Sequence, residues 1–389
     1  MQFFSADFLF DGYRFLPKGS VLVMNEGVIC EILKDKKDDV QYLKGLLMPG
    51  MINAHCHLEL SHMKGMIEEH TGLVNFLLSV LVGRIHHSDN IIMEAIASGE
   101  KEMIQNGIVA VGDISNTTHT LLQKQQGNLQ YHTFVECFGL LDNNARERFE
   151  ARYKVFEEFE KDHAASLVLH APYSISDSLI ECINKVSKGK LTTIHNQESM
   201  EENVLFKSGQ GDFLKLFDAI LNGHSFFIPS GKTSLQTYLP KLTDQQKIIL
   251  VHNTFTSKED MAFSEASGKE IYWCLCPNAN VYIENTLPDI KMMMDEGCQL
   301  VLGTDSLASN HQLSILDEIL TIQNYLPSIS LEEKLRWATS NGAKALGMNS
   351  LGSFEVGKKP GLVQVENVIH PTELPKDPVI VVRGIQIEN

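Results

Sequence analysis

His55-Cys56-His57 closes an apolar stretch with two imidazoles one residue apart. Side chains at that spacing on an extended chain point to the same side, and two imidazoles so placed suit one metal ion. Polar residues recur in the same kind of place further along. His170 ends the apolar run 166–170, His195 ends 191–195 with Glu198 three residues on, His252 ends 248–252, and Asp305 follows 299–303. Histidines that merely fill space in a core have no reason to return at the end of one apolar run after another. The pattern points to a metal ion held by side chains from several segments.

Those segments must then converge. Eight short runs rich in Val, Ile, Leu or aromatics, without strict alternation, read as buried parallel strands: 47–54, 108–113, 131–139, 166–170, 191–195, 248–252, 271–276 and 299–303. Helical spacing fills intervals between and after them, at 73–85, 91–106, 145–159, 179–187, 313–324 and 331–346. Eight strand–helix alternations predict an α/β protein, a closed (β/α)8 TIM barrel over 47–352, with catalytic side chains at the C-terminal mouth of the strands. Residues 1–46 and 353–389 carry only short strand patterns, at 3–10, 20–23, 28–33, 362–365 and 379–382. They predict one small β-sandwich-like accessory domain built from both termini.

Composition narrows the partners. The 389 residues are 43% apolar and 21% charged, enough for a sizeable core. A net charge of −16, from 33 basic and 49 acidic residues, repels phosphate backbones and anionic lipid. Neither nucleic acid nor membrane is expected as a partner, and no apolar run is long enough to span a bilayer. Seven scattered cysteines are not a disulfide framework and fit a reducing cytoplasm. Residues 1–10 lack a cationic segment followed by an apolar core, so no secretory leader is expected.

The stretches PGMINAHCHLELS, HAPYS, HNQES, VHNTF, CPNAN and GTDSLAS, in that order over residues 48–309, resemble the amidohydrolase superfamily. Within it they are similar to the cytosine-deaminase-like and chlorohydrolase-like branch. The resemblance implies that His55, His57, His195 and Asp305 are metal ligands, Glu198 a proton shuttle, and His252 the residue that polarises the group under attack. Binuclear members bridge two ions with a carbamylated lysine or a glutamate from a middle strand. Here strand four ends in His170, which implies a single ion. Three imidazoles and a carboxylate suit zinc, with iron as the alternative. The resemblance also implies a homodimer.

The chemistry agrees with the residue types. Such an ion keeps net positive charge and can lower a bound water's pKa to about 7. Asp305 can accept that water's proton, and Glu198 can protonate a ring nitrogen beside the attacked carbon. Two carboxylates in different surroundings then serve as base and acid. The His-x-Glu and Pro-Cys-x-x-Cys signature of small nucleobase deaminases is missing: Cys274-Leu275-Cys276-Pro277 has the wrong order.

His170 and Glu59 are expected to line the pocket, and Arg84 could clamp a substrate carboxylate or form a surface ion pair. Leu58-Glu59-Leu60-Ser61 with Arg84 resembles aminodeoxyfutalosine deaminases. The implied substrate is a small-molecule amino-heterocycle, with a lean to a 6-aminopurine nucleoside of the aminodeoxyfutalosine, S-adenosylhomocysteine or methylthioadenosine kind. Hydrolysis of a cyclic amide or chlorotriazine is the enzymatic alternative, and a metal-free scaffold the non-enzymatic one. One departure from the branch lies at Gly357-Lys358-Lys359-Pro360-Gly361, which lacks the Ala-Asp pair that relatives carry before the last strand.

Overall fold

A computed structural model describes residues 1–35, 38–83 and 87–383. Its strands run β1 Gln2–Leu9, β2 Val21–Asn25, β3 Val28–Leu33, β4 Gln41–Met48, β5 Met51–Cys56, β6 Ile108–Ser115, β7 Gln130–Cys137, β8 Ala164–Leu169, β9 Thr192–Asn196, β10 Lys247–His252, β11 Glu270–Leu275, β12 Gln299–Leu302, β13 Leu362–Glu366 and β14 Val379–Arg383. The first seven helices are α1 Leu73–Gly83, α2 Asp89–Gln105, α3 Leu121–Lys124, α4 Ala145–Glu160, α5 Asp177–Ser187, α6 Met200–Ser208 and α7 Phe213–Leu221. Then come α8 Ser234–Tyr238, α9 Lys258–Ala266, α10 Pro277–Glu284, α11 Ile290–Asp295, α12 Ile315–Tyr325, α13 Leu331–Arg336 and α14 Gly342–Leu346.

β5 to β12 form a TIM barrel in two parallel halves, β5-β6-β7-β8 and β9-β10-β11-β12. The seams between the halves are closed by the residues singled out above. The His195 N–H donates to His170 O (3.0 Å), and the Thr304 and Asp305 N–H groups donate to His55 O (3.0 and 3.1 Å). Gly303 permits the second seam, because a Cβ there would lie 2.8 Å from His55 O.

Alternation along each strand separates two cores. Phe134, Val168, Ile249, Val251, Tyr272 and Val301 fill the barrel interior. Val135, Leu167, Leu169, Leu250, Trp273 and Leu302 face outward to the helices. Burial on both faces explains why the strands read as continuous apolar runs. The expected helix over 331–346 is interrupted by a wide, π-type turn at Trp337–Asn341, and α14 follows it.

Both termini join in a single six-stranded sheet, ordered β14-β13-β4-β1-β2-β3. The expected strand 47–54 is in fact the end of β4 and the start of β5. Pro49 lacks an N–H for a ladder, and at Gly50 a Cβ would lie 2.2 Å from Val109 Cγ1 and 2.8 Å from Pro360 O. β4 serves both units: Leu43 and Leu47 pack in the terminal sheet's own cluster, Leu46 and Met48 in the barrel's outer core. A boundary drawn between residues 46 and 47 therefore cuts through this shared strand.

Candidate metal centre

The ends of β5, β9 and β12 bring four ligand-type atoms together. His57 Nε2 lies 3.1 Å from His55 Nε2 and 3.3 Å from His195 Nε2. Asp305 Oδ1 lies 3.5 Å from His55 Nε2 and 3.4 Å from His57 Nε2. A tetrahedral ion with ligand bonds near 2.1 Å has ligand–ligand edges of about 3.4 Å. The four measured edges match that geometry. His195 Nδ1 is 2.8 Å from His170 O and carries the proton that makes that bond, so Nε2 is left as a lone pair. Lone pairs brought this close repel unless a cation lies between them. The chemistry of the donor set therefore fits a divalent metal ion.

Local backbone geometry aims these groups. In β5, Ile52 and Ala54 face the barrel interior, yet Cys56 packs in the outer core. The register irregularity between Asn53 and Cys56 accounts for the change of phase, which turns His55 and His57 inward. In β10, Ile249 and Val251 face inward, so strict alternation would send His252 out. A left-handed backbone, φ 71° at His252 and 60° at Asn253, redirects it. Gln197 (46°) and Asp305 (55°) adopt the same unfavourable region. Non-glycine residues held there cost of order 1–3 kcal/mol each, and such strain gathers at functional sites.

Buried hydrogen bonds hold the strain in place. Asn253 Nδ2 donates to Leu250 O (2.9 Å) and Cys274 O (3.1 Å). Asp260 accepts from Gln197 Nε2 (2.9 Å), Thr233 Oγ1 (2.6 Å) and Gln236 Nε2 (2.9 Å), fixing the turn that carries Glu198. Lys124 Nζ meets Asp113 Oδ2 at 2.6 Å with both side chains fully enclosed, and Asp113 Oδ1 accepts the Leu58 N–H (2.9 Å) immediately after His57.

Electrostatics sort the titratable groups. Burial, followed by repulsion from His170, His55 and His57, holds His195 well below the usual imidazole range, which keeps it a neutral ligand. Burial pushes His252 down to about 4. Burial alone would raise Asp305, but the hydrogen bond from His55 and the surrounding imidazoles outweigh it and hold the carboxyl well below its ordinary value. Glu198 goes the other way: burial, then the charges of Asp305, Glu202 and Glu284, raise it well above the usual carboxylate range. Its Oε1 lies 3.6 Å from His252 Nε2. His252 Nδ1 lies 2.9 Å from Asn280 Oδ1, a contact that fixes the ring's orientation.

A cavity of about 80 Å³ opens over this cluster, lined by His57, His170, His195, Glu198, His252 and Asp305 together with Asn116 and Glu136. A larger cleft of about 970 Å³ lies between the terminal sheet and the N-terminal ends of β6 and β7, and none of the cluster lines it. The structure thus brings together His55, His57, His170, His195, Glu198, His252 and Asp305. Glu59 Oε2 accepts the Asn116 N–H (2.9 Å), the Thr117 N–H (3.2 Å) and the Thr117 hydroxyl (3.2 Å) and ties down the loop after β6. Arg84 lies outside the described residues.

Sequence reasoning missed Glu136 and Asn280. Glu136 is on the inward side of β7 with Phe134, while Val135 and Cys137 face out. A lone carboxylate in phase with the interior of an apolar strand was the available signal. Asn280 stands on α10 within the CPNAN stretch, and nothing in one dimension pairs it with His252.

A parallel barrel whose strand ends offer three imidazoles and a carboxylate to one point defines a metal-binding TIM-barrel protein. The profile of the amidohydrolase family matches residues 46–383, and the chain belongs to that family. It is 27% identical over 328 residues to an adenosine deaminase of Helicobacter pylori, covering 82% of this chain and 78% of that protein. It is 26% identical over 371 residues to a 5-methylthioadenosine/S-adenosylhomocysteine deaminase of Pyrococcus furiosus, covering 87% and 80%. Among solved structures, it matches H. pylori aminofutalosine deaminase in complex with methylthio-coformycin at a TM-score of 0.81 and 25% identity, covering 94% of this chain and 92% of that one. Among the described residues, no helix is long and apolar enough to cross a membrane.

Proposed function

We propose that this protein hydrolytically deaminates the 6-amino group of an adenine nucleoside, using one divalent cation, zinc for preference, held by His55, His57, His195 and Asp305. The reading is carried by one observation: four of the six edges among the ligand atoms stand at tetrahedral distances, beside a buried carboxyl, Glu198, that burial raises well above the usual carboxylate range. The relatives support the substrate class, since the Helicobacter pylori and Pyrococcus furiosus deaminases described above are named for adenosine and its 5′-modified derivatives.

A cation bound there supplies Lewis acidity, which makes water a nucleophile near neutral pH. Asp305, whose Oδ1 lies 3.5 Å from His55 Nε2 and 3.4 Å from His57 Nε2, would stand beside the bound cation and accept the proton of the attacking water. Glu198 gives its proton to the ring nitrogen next to the attacked carbon, so the ring accepts addition without carrying negative charge. His252, whose Nε2 lies 3.6 Å from Glu198 Oε1, would polarise the group under attack, as the resemblance implies. Proton return to the amine releases ammonia. Glu198 also favours a heterocycle over a cyclic amide, since it offers a proton where a ring nitrogen would stand.

The test is ammonia release by zinc-loaded enzyme across adenine nucleosides, cytosine, guanine, a chlorotriazine and a cyclic amide, with metal content measured in parallel. Loss of the adenine absorbance with about one metal per chain is expected. Turnover of the cyclic amide alone would reject the proposal, and so would a protein that takes up no metal.

A further inference from the structure

Glu318, on the first turn of α12, is fully buried, and its two oxygens reach two different segments around the metal centre. Oε1 accepts from Asn310 Nδ2 at 2.8 Å, and Oε2 accepts the Asn278 N–H at 2.8 Å. The other buried residues of α12 are all apolar: Ile315, Leu316, Ile319 and Ile322. Burial raises the Glu318 carboxyl well above its ordinary value, against the pull of its two bonds. A polar group kept in such a place at a cost calls for a reason, and its two partners supply one.

The first branch ends at Asp305. Asn310 is 2% exposed, and its Nδ2 also donates at 2.9 Å to Thr304 O, the carbonyl of the peptide that leads into Asp305. Asp305 has a left-handed backbone, φ 55°, which a non-glycine residue keeps only where its surroundings enforce it. The Asp305 N–H is tied to His55 O (3.1 Å), and the carbonyl before it is tied to Asn310. The second branch ends at His252. α10 begins with Pro277, which has no N–H, so the Asn278 N–H is the first donor of that helix, and Glu318 takes it. The Asn278 side chain is held by α12 as well: Nδ2 donates to Asp317 Oδ2 (2.8 Å), and Oδ1 accepts from Thr321 Oγ1. Two residues further along α10, Asn280 meets His252 Nδ1.

We propose that Glu318 is a positioning residue that sets the metal ligand Asp305 and, through Asn280, the ring of His252 together. It acts through Asn310 and α10. The Asp305 branch stands without the deaminase reading above, and the His252 branch rests on it.

The experiment compares Glu318→Met, which removes both acceptors at nearly constant volume, with Glu318→Gln, which keeps one. Zinc dissociation constants from chelator competition and the visible spectrum of cobalt-substituted protein read the first branch. Zinc binding is expected to weaken about 10–100-fold in Glu318→Met, with an altered cobalt spectrum. Turnover of adenine nucleosides at saturating zinc reads the second branch, where kcat is expected to fall by about 10–100-fold with KM much less affected. Asn310→Ala added to Glu318→Met should weaken zinc binding no further, and Asn280→Ala added to it should lower kcat no further, because members of one chain of contacts are not additive. Ile322→Ala loosens the same helix by a cavity and should lower urea stability while zinc binding and the cobalt spectrum stay near wild type. A wild-type zinc constant and spectrum in Glu318→Met, losses that multiply in the double variants, or an equal zinc loss in Ile322→Ala overturns the inference. Should Glu318→Met fail to fold, Glu318→Gln decides, and wild-type values of both the zinc constant and kcat there overturn it. Failure to turn over any adenine nucleoside rejects the parent reading, and the zinc and cobalt measurements then still decide the Asp305 branch.

Discussion

Replacing Glu198 by Gln removes one proton and little else. The amide keeps the volume of the buried side chain, and Glu198 is not among the four atoms at tetrahedral spacing, so metal content should stay near the wild-type value. The carboxyl is raised well above its ordinary value by burial first, then by the charges of Asp305, Glu202 and Glu284. It therefore holds its proton where a surface glutamate would have lost it, and can act as a general acid. Loss of a positioned general acid costs about 10²–10⁴ in rate, or roughly 3–5 kcal/mol in the barrier. The sign of the pH effect follows. Activity that needs the protonated form is full below the raised pKa and falls as pH rises through it. A cation in the cluster pulls that pKa down, so the position of the alkaline limb measures the balance between burial and the metal. The assay is steady-state ammonia release by metal-loaded protein across pH, with metal quantified on the same samples. The variant should be slower by the stated factor and should lack the alkaline limb. Unchanged turnover, a retained limb or loss of metal would refute the argument.

Three further outcomes are expected. His57→Ala removes the imidazole at the centre of the measured contacts and should abolish stoichiometric metal binding; full retention by elemental analysis would take it out of the ligand set. Lys124→Met leaves Asp113 enclosed without its counter-charge and should cost about 3–5 kcal/mol in urea unfolding of the metal-free protein, while Asp113→Asn added to it should recover part of the loss; a cost near zero would contradict the enclosed ion pair. Burial raises Glu202 to about 7 from 4.5, so between those values the native state keeps a proton that the unfolded chain has released. Stability then falls as pH rises across that window, by roughly 3 kcal/mol in total. Glu202→Gln should flatten this part of the unfolding-against-pH curve, and an unchanged slope would reject the assignment.

The strands of the barrel were legible because burial on both faces writes an unbroken apolar run. The residue at the end of such a run is then the first one free to be polar, which is why His170, His195 and His252 stand out. Strand ends were less legible where turn chemistry overrides the pattern. The passage through Pro49 and Gly50 splits one apolar run into β4 and β5, and only the two different clusters packed on β4 reveal that split. The contact made by Glu59 was illegible for a related reason. Sequence placed it beside the site, and only the fold shows its Oε2 accepting from the backbone of a loop almost sixty residues away along the chain.

What the sequence by itself determined is the inventory: an apolar rhythm that closes into a barrel, and polar residues at the ends of its beats. Chain order fixes which side chains can reach the mouth, because strand direction and alternation are local properties. Tertiary structure decided which of them meet. The 3.1–3.5 Å spacing of the ligand atoms, the pairing of His252 with Asn280, the Lys124–Asp113 brace and the hold of Glu318 on α10 all join segments far apart in sequence. Such contacts depend on barrel closure, register and a few left-handed backbone turns, none of which a one-dimensional spacing encodes.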